Sequence, residues 1–388
     1  MALAAQRCTT PVKQAAESSW CVGEQVEVRS GHANGWTVGY VAQPLKPGHV
    51  TVEFLVDDDT LVCRKTLRPD SELLRRSTPG PLPGDAARFG RQLRHVWQKD
   101  PIKRDRQIVF RETLTRLGTP DERRKLRAVA AANLSRWAER ASLKRASRTS
   151  RRGGVRVIDG DWGEVAKALT MQYGKTFAVL NMASATWPGG HVIDGMAGQE
   201  EDMFCRTDCH FCVSGEFDRT RDAYRPLITR LLNAEDGRAL LDIARPRVCL
   251  RGPEAPPPLY EGPYDWLFNV EIFPFFELRA AAVDLRKYPH KSLESELNPF
   301  DAQECERRVE AQLDTLIDHD VRHAVLGAFG CGAYQNPPRE VANAYASALA
   351  PRLQHFDVVA FAIPSSVYGP DVCAVFSEVL EAVSASVP

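Results

Sequence analysis

Between Asn181 and Glu201 the chain reads NMASATWPGGHVIDGMAGQEE and ends on two adjacent carboxylates, Glu200 and Glu201. Carboxylates held against a reacting group take up and release its protons, which makes such a pair suited to general acid–base work. The residues ahead of them supply the setting. Phe177-Ala178-Val179-Leu180 is a short apolar run bounded by polar residues, as in a buried parallel strand, with Asn181 at its end. Pro188-Gly189-Gly190 stops regular structure and frees the backbone to approach a ligand closely, and Gln199-Glu200-Glu201 opens a helix through Phe204. Two Glu at a helix start also serve as plain dipole partners. What raises this pair above that is the strand and glycine loop before it.

A second segment has the same layout. Ala324–Phe329 is another short buried strand, and it runs through Gly330-Cys331-Gly332-Ala333-Tyr334-Gln335-Asn336 into a helix beginning at Pro337-Pro338. Small residues ahead of a Pro-started helix form a nest of backbone N–H groups, which cradles phosphate without fixed positive charge. Two glycine-rich crossovers at the carboxyl ends of strands are where an open α/β sheet binds a nucleotide, and a diphosphate fits between them.

The order VLNMASATWPGGHVIDGMAGQEEDMFCR, GAFGCGAYQNPPREVANAYASAL and FDVVAFAIP resembles the microbial-type poly(ADP-ribose) glycohydrolases, a branch of the macrodomain superfamily. The likeness runs from about Arg104 to the end and is weak between Thr207 and Asn298. That family carries a triple-glycine loop followed by Gln-Glu-Glu. Here the loop is Gly189-Gly190-His191, so a histidine stands where a glycine is expected. The resemblance implies that Glu201 is catalytic and that Glu200 holds ribose hydroxyls. It matches Asn181 to a ribose-binding Asn and Tyr334 to an aromatic packing on the terminal ribose. Gly189, Gly190, His191, Gln199, Gly330, Cys331, Gly332, Ala333 and Asn336 complete the implied substrate contacts. His191 is expected either to keep a negative φ with its ring beside the diphosphate, the favoured outcome, or to block the phosphate groove and weaken activity. The implied activity is exo-acting hydrolysis of ribose–ribose bonds in poly(ADP-ribose), with no cofactor and no metal. Two alternatives stay open: a macrodomain that binds ADP-ribose without cleaving it, tethered to chromatin or nucleic acid, and hydrolysis of ADP-ribose linked to protein or nucleic acid.

Composition bounds these readings. A chain of 388 residues, 44% of them apolar, is long enough for two or three domains with real cores. No run approaches the length of a membrane span, and the first residues lack an apolar signal core, so a cytoplasmic or nuclear protein with no membrane contact is expected. Ten cysteines without paired spacing suit reduced thiols. Cys205, Cys209, His210 and Cys212 have a zinc-like look, but their spacing is not that of a standard finger, and structural thiols are expected.

The net charge of zero conceals an asymmetry: residues 88–152 hold about 20 Lys and Arg against about 6 Asp and Glu. Such a stretch either binds a polyanion, poly(ADP-ribose) or nucleic acid, by counterion release, or forms a solvated helical face paired with the acidic body. Residues 19–75 read differently, as short alternating strands separated by Asn34-Gly35, Pro47-Gly48 and Asp57-Asp58-Asp59, which predicts a small SH3- or Tudor-like β-barrel. Trp36, Tyr40 and Phe54 are either an aromatic cage for a methylated side chain or its core. Residues 76–100 form a linker and basic segment. From 101 to 388 a helical extension precedes a macrodomain-like three-layer α/β/α domain built on a mixed sheet. Its expected elements include helices at 120–147, 163–172, 199–206, 220–232, 301–317, 338–353 and 370–383. The expected strands are 155–158, 177–181, 248–251, 266–273, 324–329 and 358–363.

Overall fold

The computed structural model describes residues 25–29, 36–42, 49–56, 61–76, 100–145, 154–213, 216–218, 223–254, 264–287, 297–365 and 371–385. Its contacts divide the chain into two units, one holding the first five strands and the other holding the residues from Asp100 onward. In the first unit β1 (Gln25–Arg29), β2 (Trp36–Ala42), β3 (Val50–Val56), β4 (Leu61–Leu67) and β5 (Leu74–Arg76) form an antiparallel sheet in the order β4-β3-β2-β1-β5. Period-2 alternation sends Val26, Val28, Val50, Val52, Leu67 and Leu74 into one small apolar core. The side chains of Trp36, Tyr40 and Phe54 lie outside the described residues, and so does the linker.

The second unit is a mixed α/β structure around a six-stranded sheet in which parallel pairing dominates. Its strands are β6 (Gly154–Ile158), β7 (Ala178–Met182), β10 (Leu240–Cys249), β11 (Phe273–Ala280), β12 (His323–Leu326) and β13 (Val358–Ala362), in the order β10-β11-β7-β12-β13-β6. Only the β10–β11 pair is antiparallel. The short β8 (Phe217–Asp218) and β9 (Ala223–Tyr224) pair apart from it. Along β7 and β11 one face of the sheet carries Ala178, Leu180, Leu278 and Ala280, packed with apolar residues of α6 (Ala302–Asp318), α7 (Pro338–Leu349) and α8 (Val372–Ala385). α2 (Pro120–Arg145) and α3 (Trp162–Tyr173) pack against the sheet as well, α2 on β10 and β11, α3 on β11 and β12. Parallel strands covered in this way are near-continuous apolar runs, which is why β7 and β13 read so plainly from sequence.

Local chemistry sets the helix starts. Asp161 accepts from the amides of Gly163 and Glu164 at 2.9 and 3.0 Å to cap α3, Thr119 accepts from Glu122 N at 3.1 Å to cap α2, and Asp301 accepts from Glu304 N at 3.0 Å to cap α6. The helical extension opens with α1 (Pro101–Arg116), which uses the same signal: Asp100 accepts from Ile102 N at 3.0 Å, with Pro101 at the first position. α5 (Pro226–Leu232) starts later than expected, at its proline, after the β9 strand.

Two strand expectations need correction. The strand anticipated at 266–273 is β11, Phe273–Ala280, and β10 begins at Leu240 rather than Val248. Both contain buried charges that break the apolar pattern. Glu277, Arg247 and Arg279 are 0 to 1% exposed, and Glu277 Oε2 lies 2.8 Å from Arg247 Nε. A register irregularity in β10 between Asp242 and Arg247 absorbs the Pro246 segment. Trp266 pairs only through an isolated bridge to Arg251, whose guanidinium sits 3.5 Å from the Trp266 ring centroid.

The helical extension is integral to this unit. Trp137 of α2 is buried, and Asn133 donates to the carbonyls of Asn269 and Ile272 at 2.7 and 2.8 Å. α3 ends on Gly174 at φ +61°, and a Cβ there would lie 2.7 Å from Ala138 N and 3.0 Å from the carbonyl carbon of Trp137. Gly174 thus serves two demands, a left-handed cap and backbone contact between α3 and α2. Gly174→Ala should cost about 2–4 kcal/mol of stability, from strain and overpacking together. Urea unfolding of both proteins measures it, and a loss under about 0.5 kcal/mol would show that α2 and α3 do not meet there.

Candidate active site

β7 and β12 are adjacent parallel strands whose following segments run to opposite sides of the sheet, toward β11 and toward β13. Such a switch point leaves a crevice outside the carboxyl ends of the strands. The ladder between them ends at Val179–Val325. Beyond it, Leu180 O and Met182 N on the β12 side of β7 are taken up by one side chain: Gln199 donates to Leu180 O at 2.8 Å and accepts from Met182 N at 2.9 Å. Gln199 is the first residue of α4 (Gln199–Arg206), so its amide fixes the helix start against the strand end.

The next two residues hold the loop. Glu200, 3% exposed, accepts from Ser184 N at 2.7 Å on one carboxylate oxygen and from Gly189 N at 3.0 Å on the other. Glu201 accepts from His191 N at 2.9 Å. Adjacent helical residues point about 100° apart, and here the two carboxylates serve different parts of one loop. Burial raises the Glu200 carboxyl well above its ordinary value, the Glu201 charge adding to the effect against the two amides. Burial also raises Glu201, opposed by the His191 amide.

Glycine is required where this loop meets those carboxylates. Gly189 and Gly190 have φ of +76° and +56°; a Cβ on Gly189 would lie 2.6 Å from the Phe204 ring, and one on Gly190 would strike the Glu201 carboxylate. A Cβ on Gly198 would strike the same carboxylate from the other side. Glu201 therefore stands in a slot that side chains cannot enter. His191 has φ −106°, the negative value anticipated, so its backbone needs no glycine. Its ring is half-exposed, with Nδ1 3.1 Å from Asp194 Oδ2 and its centroid 5.3 Å from that of Trp187.

The second loop faces the first. The Tyr334 hydroxyl lies close to the Ser184 side chain, and burial pushes its pKa up to about 12, with Glu200 and Asp284 adding to the rise. Arg286 covers the Tyr334 ring at 5.2 Å. Asn336, 4% exposed, donates from its amide to Val283 O at 2.8 Å and Gly330 O at 3.1 Å, which closes the loop, while Gly332 and Ala333 are exposed at its tip. The Cys331 amide donates to Ala328 O at 3.1 Å. Burial raises the Cys331 thiol to about 12, so it is a packed thiol and not a thiolate.

Among the residues anticipated to touch ligand, Asn181, Gln199, Glu200 and Asn336 are found bonded to the protein around the crevice. Asn181 is fully buried and donates to Glu277 Oε1 at 2.9 Å. Glu277 is in turn held by Arg247 and bonded by Asn181; although burial pushes its carboxyl up, Arg279 and Arg247 hold it below the ordinary value. Arg279 donates to Glu216 and to the Tyr224 hydroxyl, and Tyr224 N donates to Thr186 O at 2.8 Å. This network was not anticipated. Its signal in the sequence was the charges inside FPFFELRA, out of place in a buried strand unless paired.

Behind α4, Arg206 is 1% exposed and donates to both Asp161 oxygens at 2.9 and 2.8 Å, to Asp202 at 2.8 Å and to Arg251 O at 3.2 Å. Trp162 Nε1 completes Asp202 at 2.5 Å, and burial raises the Asp202 carboxyl to about 6 against the pull of Arg206. From the other side α1 braces the loop: Gln107 donates to Ile193 O at 2.7 Å and Arg106 to Gly195 O at 3.3 Å. Cys205, Cys209 and Cys212 are buried thiols, the Cys212 pKa raised to about 12 by burial and by Asp208, and no cluster of three or more metal-ligating side chains occurs among the described residues.

Residues 117–228 match the model of a family described as microbial-type PARG, catalytic domain. No curated protein matches the chain. Among solved structures it is similar to poly(ADP-ribose) glycohydrolase from Thermomonospora curvata, at 20% identity over 71% of this chain and 98% of that one with a TM-score of 0.45. The same enzyme bound to the inhibitor ADP-HPD matches at 20% identity over 70% and 98%, TM-score 0.44. The Deinococcus radiodurans enzyme in complex with ADP-ribose matches at 20% identity over 67% and 98%, TM-score 0.42.

Glu200→Gln should cost about 1–3 kcal/mol of stability, because a carboxamide accepts one of the two loop amides and opposes the other with its own N–H. Denaturant unfolding of both proteins reads the effect. Unchanged stability would mean that Glu200 does not hold the loop.

Proposed function

We propose that this protein is a hydrolase of the microbial-type poly(ADP-ribose) glycohydrolase family, cleaving the ribose–ribose glycosidic bond through Glu201. The observation that carries the reading is the Glu201 carboxylate itself: slotted between Gly190 and Gly198, oriented by His191 N at 2.9 Å, and raised in pKa by burial. The match of residues 117–228 to the family described as microbial-type PARG, catalytic domain, supports it.

Glycoside hydrolysis passes through an oxocarbenium-like state that needs a proton on the leaving oxygen and a deprotonated water at the anomeric carbon. A raised pKa lets Glu201 enter the reaction protonated. It delivers that proton to the leaving ribose oxygen as the C–O bond breaks; the carboxylate so formed then takes a proton from water, whose oxygen bonds to the anomeric carbon. Glu200, with both oxygens on loop amides, keeps the loop and Glu201 in place. The diphosphate lies between the 189–191 loop and the 330–336 loop, the latter supplying backbone N–H groups from its exposed tip at Gly332 and Ala333, since those of Cys331, Gln335 and Asn336 are bonded within the loop.

The finer parts of the reading are exo action, with ADP-ribose released from chain ends, and an SH3- or Tudor-like barrel in the first unit, for which the strand order β5-β1-β2-β3-β4 is the support. Contact with nucleic acid through residues 88–152 has weaker support. Arg106 pairs with Glu254, Arg127 with Asp208, and Arg124 and Lys125 with Asp121 and Glu122 on their own helix, the pattern of a helical face paired with its protein. Among the described side chains of this stretch Arg116, Arg124, Lys125 and Arg140 are the exposed cations that a polyanion would meet, with Arg124 and Lys125 already paired on their own helix.

Glu201→Gln should lower kcat by about 10²–10⁴ while ADP-ribose affinity stays within about tenfold, since the amide is nearly isosteric but cannot transfer the proton. Size-resolved products from labelled polymer give the rate and distinguish released ADP-ribose from oligomers. In the wild type the rate should fall as pH rises through the Glu201 pKa, with that limb above the ordinary glutamate value of about 4.5 because burial favours the protonated form. A Glu201→Gln enzyme with most of its turnover would overturn the assignment.

A further inference from the structure

The open side of the catalytic loop carries two aromatic rings with no role so far. Trp187 is 44% exposed, and its ring meets the His191 ring edge-on at 5.3 Å and 62°. His191 is braced by Asp194 Oδ2, 3.1 Å from its Nδ1, and its amide holds the Glu201 carboxylate at 2.9 Å. Trp187 N donates to Ser184 Oγ at 3.1 Å, and Ser184 N holds Glu200 at 2.7 Å. The two rings thus belong to the loop whose amides hold both carboxylates, and the Trp187 ring contacts the ring of the residue whose own N–H bonds Glu201.

The chemistry of the substrate indicates what meets them, on the premise of the hydrolase reading. In poly(ADP-ribose) the leaving oxygen is the 2′-oxygen of an adenosine ribose, and adenine sits on the neighbouring carbon of that ribose. A carboxyl that protonates this oxygen therefore has a purine within one sugar ring of it. ADP-ribose attached to a protein side chain presents no base at that place. We infer that Trp187, braced by His191 and Asp194, is a stacking subsite for the adenine on the leaving side of the scissile bond, and that it favours polymer over ADP-ribose on protein side chains. An exposed indole offers a flat face at little conformational cost, and stacking tolerates the range of base orientations a flexible polymer presents.

The test uses two substrates with the same scissile bond type: the 2′,1″-linked dimer of ADP-ribose, and ADP-ribose whose 1″-oxygen carries a propyl group. Trp187→Ala should lower kcat/KM for the dimer about tenfold more than for the propyl compound, the size expected for one lost base stack, and Trp187→Phe should restore most of the difference. An equal loss on both substrates, or no loss on either, overturns the subsite while leaving the hydrolase reading in place. A wild-type protein that cleaves neither substrate removes the hydrolase reading and this inference together.

Discussion

The Glu200 carboxylate is the interaction on which the site depends. One oxygen takes the Ser184 amide and the other the Gly189 amide, so a single buried side chain folds the segment after β7 back over the start of α4. Backbone N–H groups removed from water need acceptors, and a turn built on Pro188-Gly189-Gly190 has no ladder to supply them. Placing the acceptor on α4 ties the loop conformation to the helix start. Glu201, the next residue, then meets a later part of the same loop, where His191 N bonds it.

Burying a carboxylate this deeply is unfavourable by itself, and its raised pKa is the sign of that cost. The surrounding structure makes the arrangement rigid enough to persist. Arg206 joins the far end of α4 to the cap of α3 through Asp161 and Asp202, so the helix is fixed at both ends, by Gln199 on the strand and by Arg206 on the neighbouring helix. Within the sheet, Glu277 with Arg247, Arg279 and Asn181 forms a second buried charge network at the strand ends. Buried ion pairs contribute little net stability relative to apolar packing, whereas removal of one partner leaves an unpaired charge. Their effect here is positional: they hold β7, β11 and α4 in one relation.

The same economy explains why several polar residues near the crevice are committed inward. Gln199 replaces the missing β12 partner where β7 outruns its neighbour, and Asn336 closes the second loop on Val283 and Gly330. A crevice at a switch point exposes strand ends on both sides, and each unpaired carbonyl or amide needs a side chain to finish it. What remains open is the rim: Glu201 in its slot, the tip at Gly332 and Ala333, and the rings of Trp187 and His191.

From its residues alone the chain determined the elements that position this site. The apolar run of β7 and the helix starts at 120, 163, 199 and 301 are local signals, and each is found within a residue or two of its expected place. Period and capping depend on near neighbours, so they are legible without the fold. β11 was not legible, because Glu277 and Arg279 look like surface residues until Arg247, Glu216 and Asn181 arrive from elsewhere in the chain to pair with them. The division of labour between the two glutamates was likewise decided by tertiary structure. Adjacent in sequence and alike in chemistry, they differ only in what the loop brings to each: two amides closing around Glu200, and around Glu201 one amide and two glycines without side chains.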